Sequence, residues 1–296
     1  MFGVLIPVGP DPREVTRLEV LLGELERHEN PQELRVVVVD DGPVPRRLSG
    51  SWPGLEVIRT PLWSGVPPDT LSAHVAGTLA GLRAVCDGVG EIEFVVKLDT
   101  DAAIIRPFSS ALRDALRDPR LGVVGSYDTT ADGGVRDWTM WTRTLARADR
   151  PFALSRRRGR VRVWRRDRSQ RAAVRRLRDA AYRSAPPGAH CLGGAYAVSS
   201  SFLSSAELDW CPWIRTRLGE DVVVGLLCSA VGLEMKSLTG PGDPFALSWR
   251  GLPLSAPEIA ARGHSIVHSV KRESEADELA LREALQQNAR AVNAAS

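Results

Sequence analysis

Four short apolar runs constrain what this chain can fold into more than any other feature. They are Phe2–Pro7, Leu34–Val39, Ile92–Leu98 and Leu121–Ser126, rich in Val, Ile and Leu. A strand with one face in water alternates apolar and polar residues, whereas a run apolar at successive positions must be covered on both faces. The stretches between the runs have helical spacing. Within Pro12–Glu29 the apolar positions are Val15, Leu18, Leu21, Leu22 and Leu25, and Asp11 before Pro12 suits an N-cap followed by Pro at the first helical position. Thr70–Cys86 and Pro107–Leu116 read as further helices and Leu55–Arg59 as a short strand. Strands alternating with helices predict an α/β fold with a mostly parallel sheet covered by helices on both faces.

Two of the runs end in acids. Val36-Val37-Val38-Val39 leads into Asp40-Asp41-Gly42, and Val95-Val96-Lys97-Leu98 into Asp99-Thr100-Asp101. Unpaired charge is costly in a core, and ligands of open parallel sheets bind at the carboxyl ends of the strands. Carboxylates at i and i+2 on such an end suit Mg²⁺ or Mn²⁺, which take oxygen ligands and are commonly shared with substrate phosphates. Taken alone, each cluster also reads as a solvated turn. Their shared placement at strand carboxyl ends favours a site.

After Tyr127 the pattern changes. Asp128–Arg168 reads as turn-rich and basic, and Ser169–Tyr182 as an arginine-coated helix ended by Pro186-Pro187-Gly188. Between Arg143 and Arg183 stand sixteen Arg and three acids, a balance of +13 in a chain of net charge +3, so the remainder carries −10. Lysine occurs only at 97, 236 and 271, so the abundance of Arg is partly compositional. Order resumes with Cys191–Val198, a short helix over Phe202–Leu208 and an apolar helix over Asp221–Val231 preceded by Gly219-Glu220. Candidate strands follow at Leu233–Leu238, Phe245–Trp249 and His264–Val270, then a terminal helix over Glu275–Val292.

No run of 18 apolar residues indicates a transmembrane helix. Met1 is followed at once by a strand, without a basic leader, so a cytoplasmic protein is expected. The four cysteines show no C-x-x-C spacing and read as free thiols.

Four features in order resemble a GT-A fold glycosyltransferase, most similar to the inverting family 2 type. These are Ile6-Pro7-Val8 with Val39-Asp40-Asp41-Gly42, then Asp99-Thr100-Asp101, then Gly193-Gly194-Ala195-Tyr196, then Gly219-Glu220-Asp221. His268, near Val270-Lys271, resembles the C-terminal metal-binding histidine of many such enzymes. The resemblance implies a Rossmann-like, mostly parallel sheet in one continuous domain. Residues 1–130 would form the nucleotide-sugar-binding half, 131–188 an arginine-rich insertion, and 189–296 the acceptor-binding and catalytic half.

The implied activity moves one sugar from a nucleoside diphosphate sugar, with UDP favoured, to an acceptor hydroxyl. Asp101 and His268 would hold Mn²⁺ or Mg²⁺, with Asp99 as helper facing ribose or a metal-bound water. Asp40 is the first choice, and Asp41 the second, to accept the base imide N–H, for which a carboxylate is suited. Pro7, Gly193, Gly194 and Lys271 would also contact the donor, the glycines by letting backbone approach it closely. Asp221 would take the acceptor proton, with Glu220 orienting donor or acceptor. On a strand, His264 and His268 share a face, so either could point at the metal. His74 and His190 are expected to be structural. Asp209-Trp210-Cys211-Pro212-Trp213 is a candidate acceptor platform, since flat aromatic faces pack against sugars. The Arg143–Arg183 segment could meet an anionic ligand, a membrane surface or nucleic acid.

Departures accompany the resemblance. The family's helix-start pattern with an Ala-Arg-Asn run is not evident around Gly65–Leu82, and the Gln-x-x-Arg-Trp motif of processive synthases is absent. Two rivals remain: a catalytically silent GT-A-like module binding an anionic partner, and a sugar nucleotidyltransferase. The second needs a basic, Gly-rich loop after the first strand, and Pro7-Val8-Gly9-Pro10-Asp11-Pro12 contains no Lys or Arg.

Overall fold

The computed structural model describes residues 1–42, 45, 55–60, 70–87, 91–157 and 160–295. The first half alternates as its pattern predicts: β1 (Phe2–Val8), α1 (Arg13–His28), β2 (Leu34–Asp40), β3 (Leu55–Arg59), α2 (Thr70–Cys86), β4 (Phe94–Leu98), β5 (Ala103–Ile104), α3 (Ser109–Ala115) and β6 (Leu121–Gly125). Then come α4 (Thr139–Ala148), β7 (Phe152–Arg157), β8 (Arg160–Arg165) and α5 (Arg168–Ala181). The chain closes with β9 (Ala195–Ser199), α6 (Ser200–Ser205), α7 (Glu220–Ala230), β10 (Glu234–Ser237), β11 (Phe245–Leu247), α8 (Ala256–Ala261), β12 (Ile266–His268) and α9 (Glu275–Ala295).

The main sheet has the order β10-β6-β9-β4-β1-β2-β3. Every neighbouring pair is parallel except those of β9, which runs antiparallel to both β4 and β6. Strand parity divides the core. Val4, Ile6, Val36, Val38, Val96 and Leu98 face Leu18, Leu21 and Leu25 of α1. Leu5, Val37, Val39 and Val95 face Val75, Leu79 and Val85 of α2, together with residues of α7. This is why the runs are apolar at successive positions. Each such side chain, fully buried, contributes about 1.5–3 kcal/mol.

Two registers position the site. Leu98 lies opposite Ala195, so the chain leaving β4 runs beside Gly194, and the amide of Asp99 donates to the Gly194 carbonyl at 2.9 Å. In the small sheet β11-β12-β5, Val267 lies opposite Ala103, and the Val270 amide donates to the Asp101 carbonyl at 3.0 Å. A strand more than 160 residues downstream is thereby laid against the acidic loop.

The region expected to be turn-rich and basic is instead built. It holds α4 and the hairpin β7–β8, in which Leu154 lies opposite Val163. The arginines alternating with apolar residues there obscure a strand pattern. Buried Arg166 joins the parts, donating to the carbonyls of Arg147, Ala148 and Arg150 at the end of α4 and to that of Arg215. The elements β5 and α8 went unread, being too short to show periodicity. Of the stretch His264–Val270, only Ile266–His268 is strand.

Candidate active site

A cleft of about 1090 Å³ opens at the carboxyl ends of β1, β2, β3 and β4. Pro7, Asp41, Thr60, Asp99 and Asp101 line it from the strand ends, His74 and Gly77 from α2, and Glu220 from the start of α7. Trp249, His268, Ser269 and Lys271 line it from the C-terminal part.

Asp99, Asp101 and His268 converge there, each offering a ligand atom within 4.8 Å of the others. His268 Nε2 lies 3.1 Å from Asp101 Oδ1 and 3.8 Å from Asp99 Oδ2. Its Nδ1 donates to the Ser248 carbonyl at 2.9 Å, which directs Nε2 to the carboxylates. Ser269 Oγ donates to the other Asp101 oxygen at 2.6 Å. Burial opposes ionisation of Asp101, but the hydrogen bonds of His268 and Ser269 outweigh it and hold the carboxyl well below the usual range. Two hard oxygens and an oriented imidazole fit a divalent cation. His264 is elsewhere: buried, with Nδ1 2.8 Å from the Asp243 carbonyl.

The C-terminal helix braces this loop. Arg282 of α9 donates to the Thr100 carbonyl at 3.0 Å and to Glu24 of α1 at 2.9 Å. Thr100 Oγ1 also bonds to Glu14 of α1, and Arg17 ties Glu14 to Glu278 of α9.

Lys97 is the main residue that the sequence reading passed over. Its side chain is 2% exposed, next to the last position of β4. Nζ donates to Asp99 Oδ1 at 2.6 Å, to Glu220 Oε1 at 3.2 Å and to the Gly193 carbonyl. One ammonium thus links the metal-type acids to the acids of α7. Burial disfavours its charge, but Asp99 and Glu220 more than reverse this, so its pKa is raised. Burial likewise works against ionised Glu220, and Lys97, followed by His74, keeps its carboxyl below the usual range. A lone Lys within an apolar run was the available signal, because a buried charge requires partners.

Asp221 has other partners and is not among the residues that line the cleft. Its Oδ1 accepts the Val222 amide at 2.8 Å, and its Oδ2 lies 3.5 Å from His190 Nε2. Burial and the charge of Glu220 push its carboxyl up to about 7. Arg136 bonds to Nε2 and the carbonyl of His190, and His190 Nδ1 to the Gly188 carbonyl. Burial lowers the His190 pKa to about 4, so the ring is neutral beside Asp221. His190 therefore adjoins the acid pair and His74 lines the cleft, where the sequence reading gave both only structural places.

The glycines lie one layer behind the cleft. A Cβ on Gly194 would fall 2.2 Å from the His268 ring, and one on Gly193 2.8 Å from Glu220 Oε1. They make room for the His268 ring and the acid pair. Asp40 also turns from the cleft, its carboxylate accepting the Gly42 amide at 2.8 Å and Arg59 at 3.1 Å. Asp41, one residue on, lines the cleft. Strand parity explains the division, since Val39 and Asp41 share the α2 face. Trp213 of the candidate platform is core, at 1% exposure, and Trp210 packs against that core. Among the described residues, the exposed indole at the cleft is Trp249, 69% exposed.

No protein-family profile matches this chain, and no curated protein matches it. Solved structures do. An active-site mutant of LgtC aligns over 98% of this chain and 96% of its own, with 12% identity and a TM-score of 0.50. The fold is GT-A. A complex of LgtC with donor and acceptor sugar analogs aligns over the same shares with 11% identity and a TM-score of 0.48. S. aureus TarS 1-349 in complex with UDP-GlcNAc aligns over 46% of this chain with 21% identity and a TM-score of 0.28, and this chain spans only 37% of its length.

Proposed function

We propose that this chain is a metal-dependent glycosyltransferase that moves a single sugar from a nucleoside diphosphate sugar, with UDP favoured, to an acceptor hydroxyl with inversion. The observation that carries the reading is one cleft lined by a cation-type triad and by Glu220, joined through Lys97, with Asp221 next to Glu220 in α7. Asp101, His268 and Asp99 would hold Mn²⁺ or Mg²⁺. When bound, the cation supplies charge neutralisation at the departing diphosphate.

The remaining work falls to the chain's own groups. Asp41 and Pro7, which line the cleft from the ends of β2 and β1, suit the base, with the Asp41 carboxylate accepting the imide N–H. Asp40 would support that turn from behind through Gly42 and Arg59. Lys271, which lines the cleft, would meet a diphosphate oxygen. Gly193 and Gly194 hold the floor of the donor site rather than its surface. Glu220, kept anionic by Lys97, orients a sugar hydroxyl. Asp221 takes the acceptor proton, a task served by a pKa near the working pH. Attack from the face opposite the leaving group inverts the anomeric centre. In this reading residues 1–130 form the donor half, 131–188 an insertion and 189–296 the acceptor and catalytic half of one domain.

A thermal-shift screen of nucleoside diphosphates with and without Mn²⁺ tests the donor, and UDP release from a panel of UDP-sugars tests the transfer. A shift with UDP that requires the metal supports the reading. No shift with any nucleotide, or a product that retains the donor's anomeric configuration, sinks the corresponding part.

A further inference from the structure

We infer that the arginine-rich insertion is a docking face for an anionic lipid bilayer, centred on the hollow between β7–β8 and the start of α5. The inference is independent of the transferase reading, because none of its residues lines the cleft.

The hollow measures about 590 Å³ and is walled by Pro151, Phe152, Arg165, Arg168 and Arg171 beside Asp167. Asp167 is committed to the helix, accepting the Gln170 amide at 2.7 Å and Ser169 Oγ at 2.6 Å. Arg166 bonds the carbonyls of Arg147 and Arg150, so the end of α4 is held against the same seat. Arg175, Arg176 and Arg178 pair with acids. Among the described residues, exposed Arg147, Arg150, Arg165 and Arg168 have no acid partner. They leave a cationic surface on a segment of charge +13, whereas the residues outside Arg143–Arg183 sum to −10. An anionic plane attracts this face within a Debye length and repels the rest, which sets the orientation.

Charge alone would serve nucleic acid equally, and apolar exposure decides between them. Phe152 is 56% exposed at the hollow, and the same insertion bares Met140 at 59% and Val135 at 86%. Aliphatic and aromatic tips among arginines suit the boundary between headgroups and acyl chains. Single-stranded nucleic acid instead selects stacking aromatics along a groove.

The test is co-sedimentation of the full chain with vesicles of phosphatidylcholine, with and without phosphatidylglycerol. The expected result is binding to the anionic vesicles only, weakened by salt. Affinity should fall about fivefold for each positive charge removed at Arg165 or Arg168. Phe152→Ala should make the remaining binding fully salt-sensitive. Metal-dependent UDP binding, or failing that an unchanged circular dichroism melt, reports that each variant is folded. Wild-type chain left in the supernatant overturns the inference. So does a thermal shift with inorganic phosphate, or binding to duplex DNA, in the absence of vesicle binding. Arg165→Glu with Arg168→Glu binding as well as wild type also overturns it.

Discussion

Two acid pairs share one lysine at the cleft, and their second members are tuned in opposite directions; Asp99, Asp101 and Glu220 line the cleft, and Asp221 follows Glu220 in α7. Asp99 and Asp101 leave the end of β4, whereas Glu220 and Asp221 begin α7. In each pair the first acid bonds Lys97. The second acids diverge. Asp101 accepts from His268 and Ser269 and is held ionised. Asp221 faces a neutral His190, stands next to an anionic Glu220, and is pushed up to about 7. Residue type is the same at both places; hydrogen-bond donors at one and burial beside a like charge at the other set the chemistry. In the proposed reading one carboxylate holds a cation and the other exchanges a proton.

The largest expected effect tests the first half of that contrast. Asp101→Ala should reduce transfer by about a thousandfold, since a bound cation is worth several kcal/mol at developing charge. It should also erase metal-dependent UDP binding in calorimetry, as should chelation with EDTA, while circular dichroism shows an intact fold.

Asp221→Asn should lower kcat by about a hundredfold or more, the usual range for a general base. Metal-dependent UDP binding should survive. Equal loss of UDP binding in both variants would break the division between the pairs.

Lys97→Met probes the link between them. It leaves two carboxylates facing each other in a largely buried site, and urea unfolding should show a loss of about 3 kcal/mol. A variant as stable as wild type would mean that the acids find other partners.

The smallest effect is in pH dependence. The base must be ionised, so kcat should fall as pH drops below about 7. Stability runs the other way. A carboxyl raised in the fold contributes stability that is full below its unfolded pKa of about 4 and is lost as pH rises through its folded value. Asp221→Asn should therefore melt above wild type at alkaline pH, with the gap closing towards acid. A gap that widens towards acid would show that Asp221 is stabilised as the anion.

Much of the fold was legible because its signals are local. The runs of β1, β2, β4 and β6 are apolar on both faces, as strands sandwiched between helices must be. The acids at Asp99, Asp101 and Glu220 stood out by type and spacing, and the cleft contains them. The hairpin β7–β8 was hidden by arginines interleaved with its apolar residues, and Trp213 was offered as a platform although it is core. Which of Asp40 and Asp41 lines the cleft was decidable from strand parity, had the cleft face been known.

By itself the sequence determined an α/β sheet, the acidic strand ends and a basic insertion, because periodicity and charge are properties of neighbouring residues. Tertiary structure alone decided that His268 and not His264 meets Asp101, that Lys97 joins the two acid pairs, and that Asp221 sits beside His190 with its carboxyl pushed up to about 7. Those outcomes depend on registers such as Leu98 opposite Ala195 and Val267 opposite Ala103, between segments far apart in the chain. A carboxylate's proton affinity follows from what those registers place around it, and no local pattern encodes that environment.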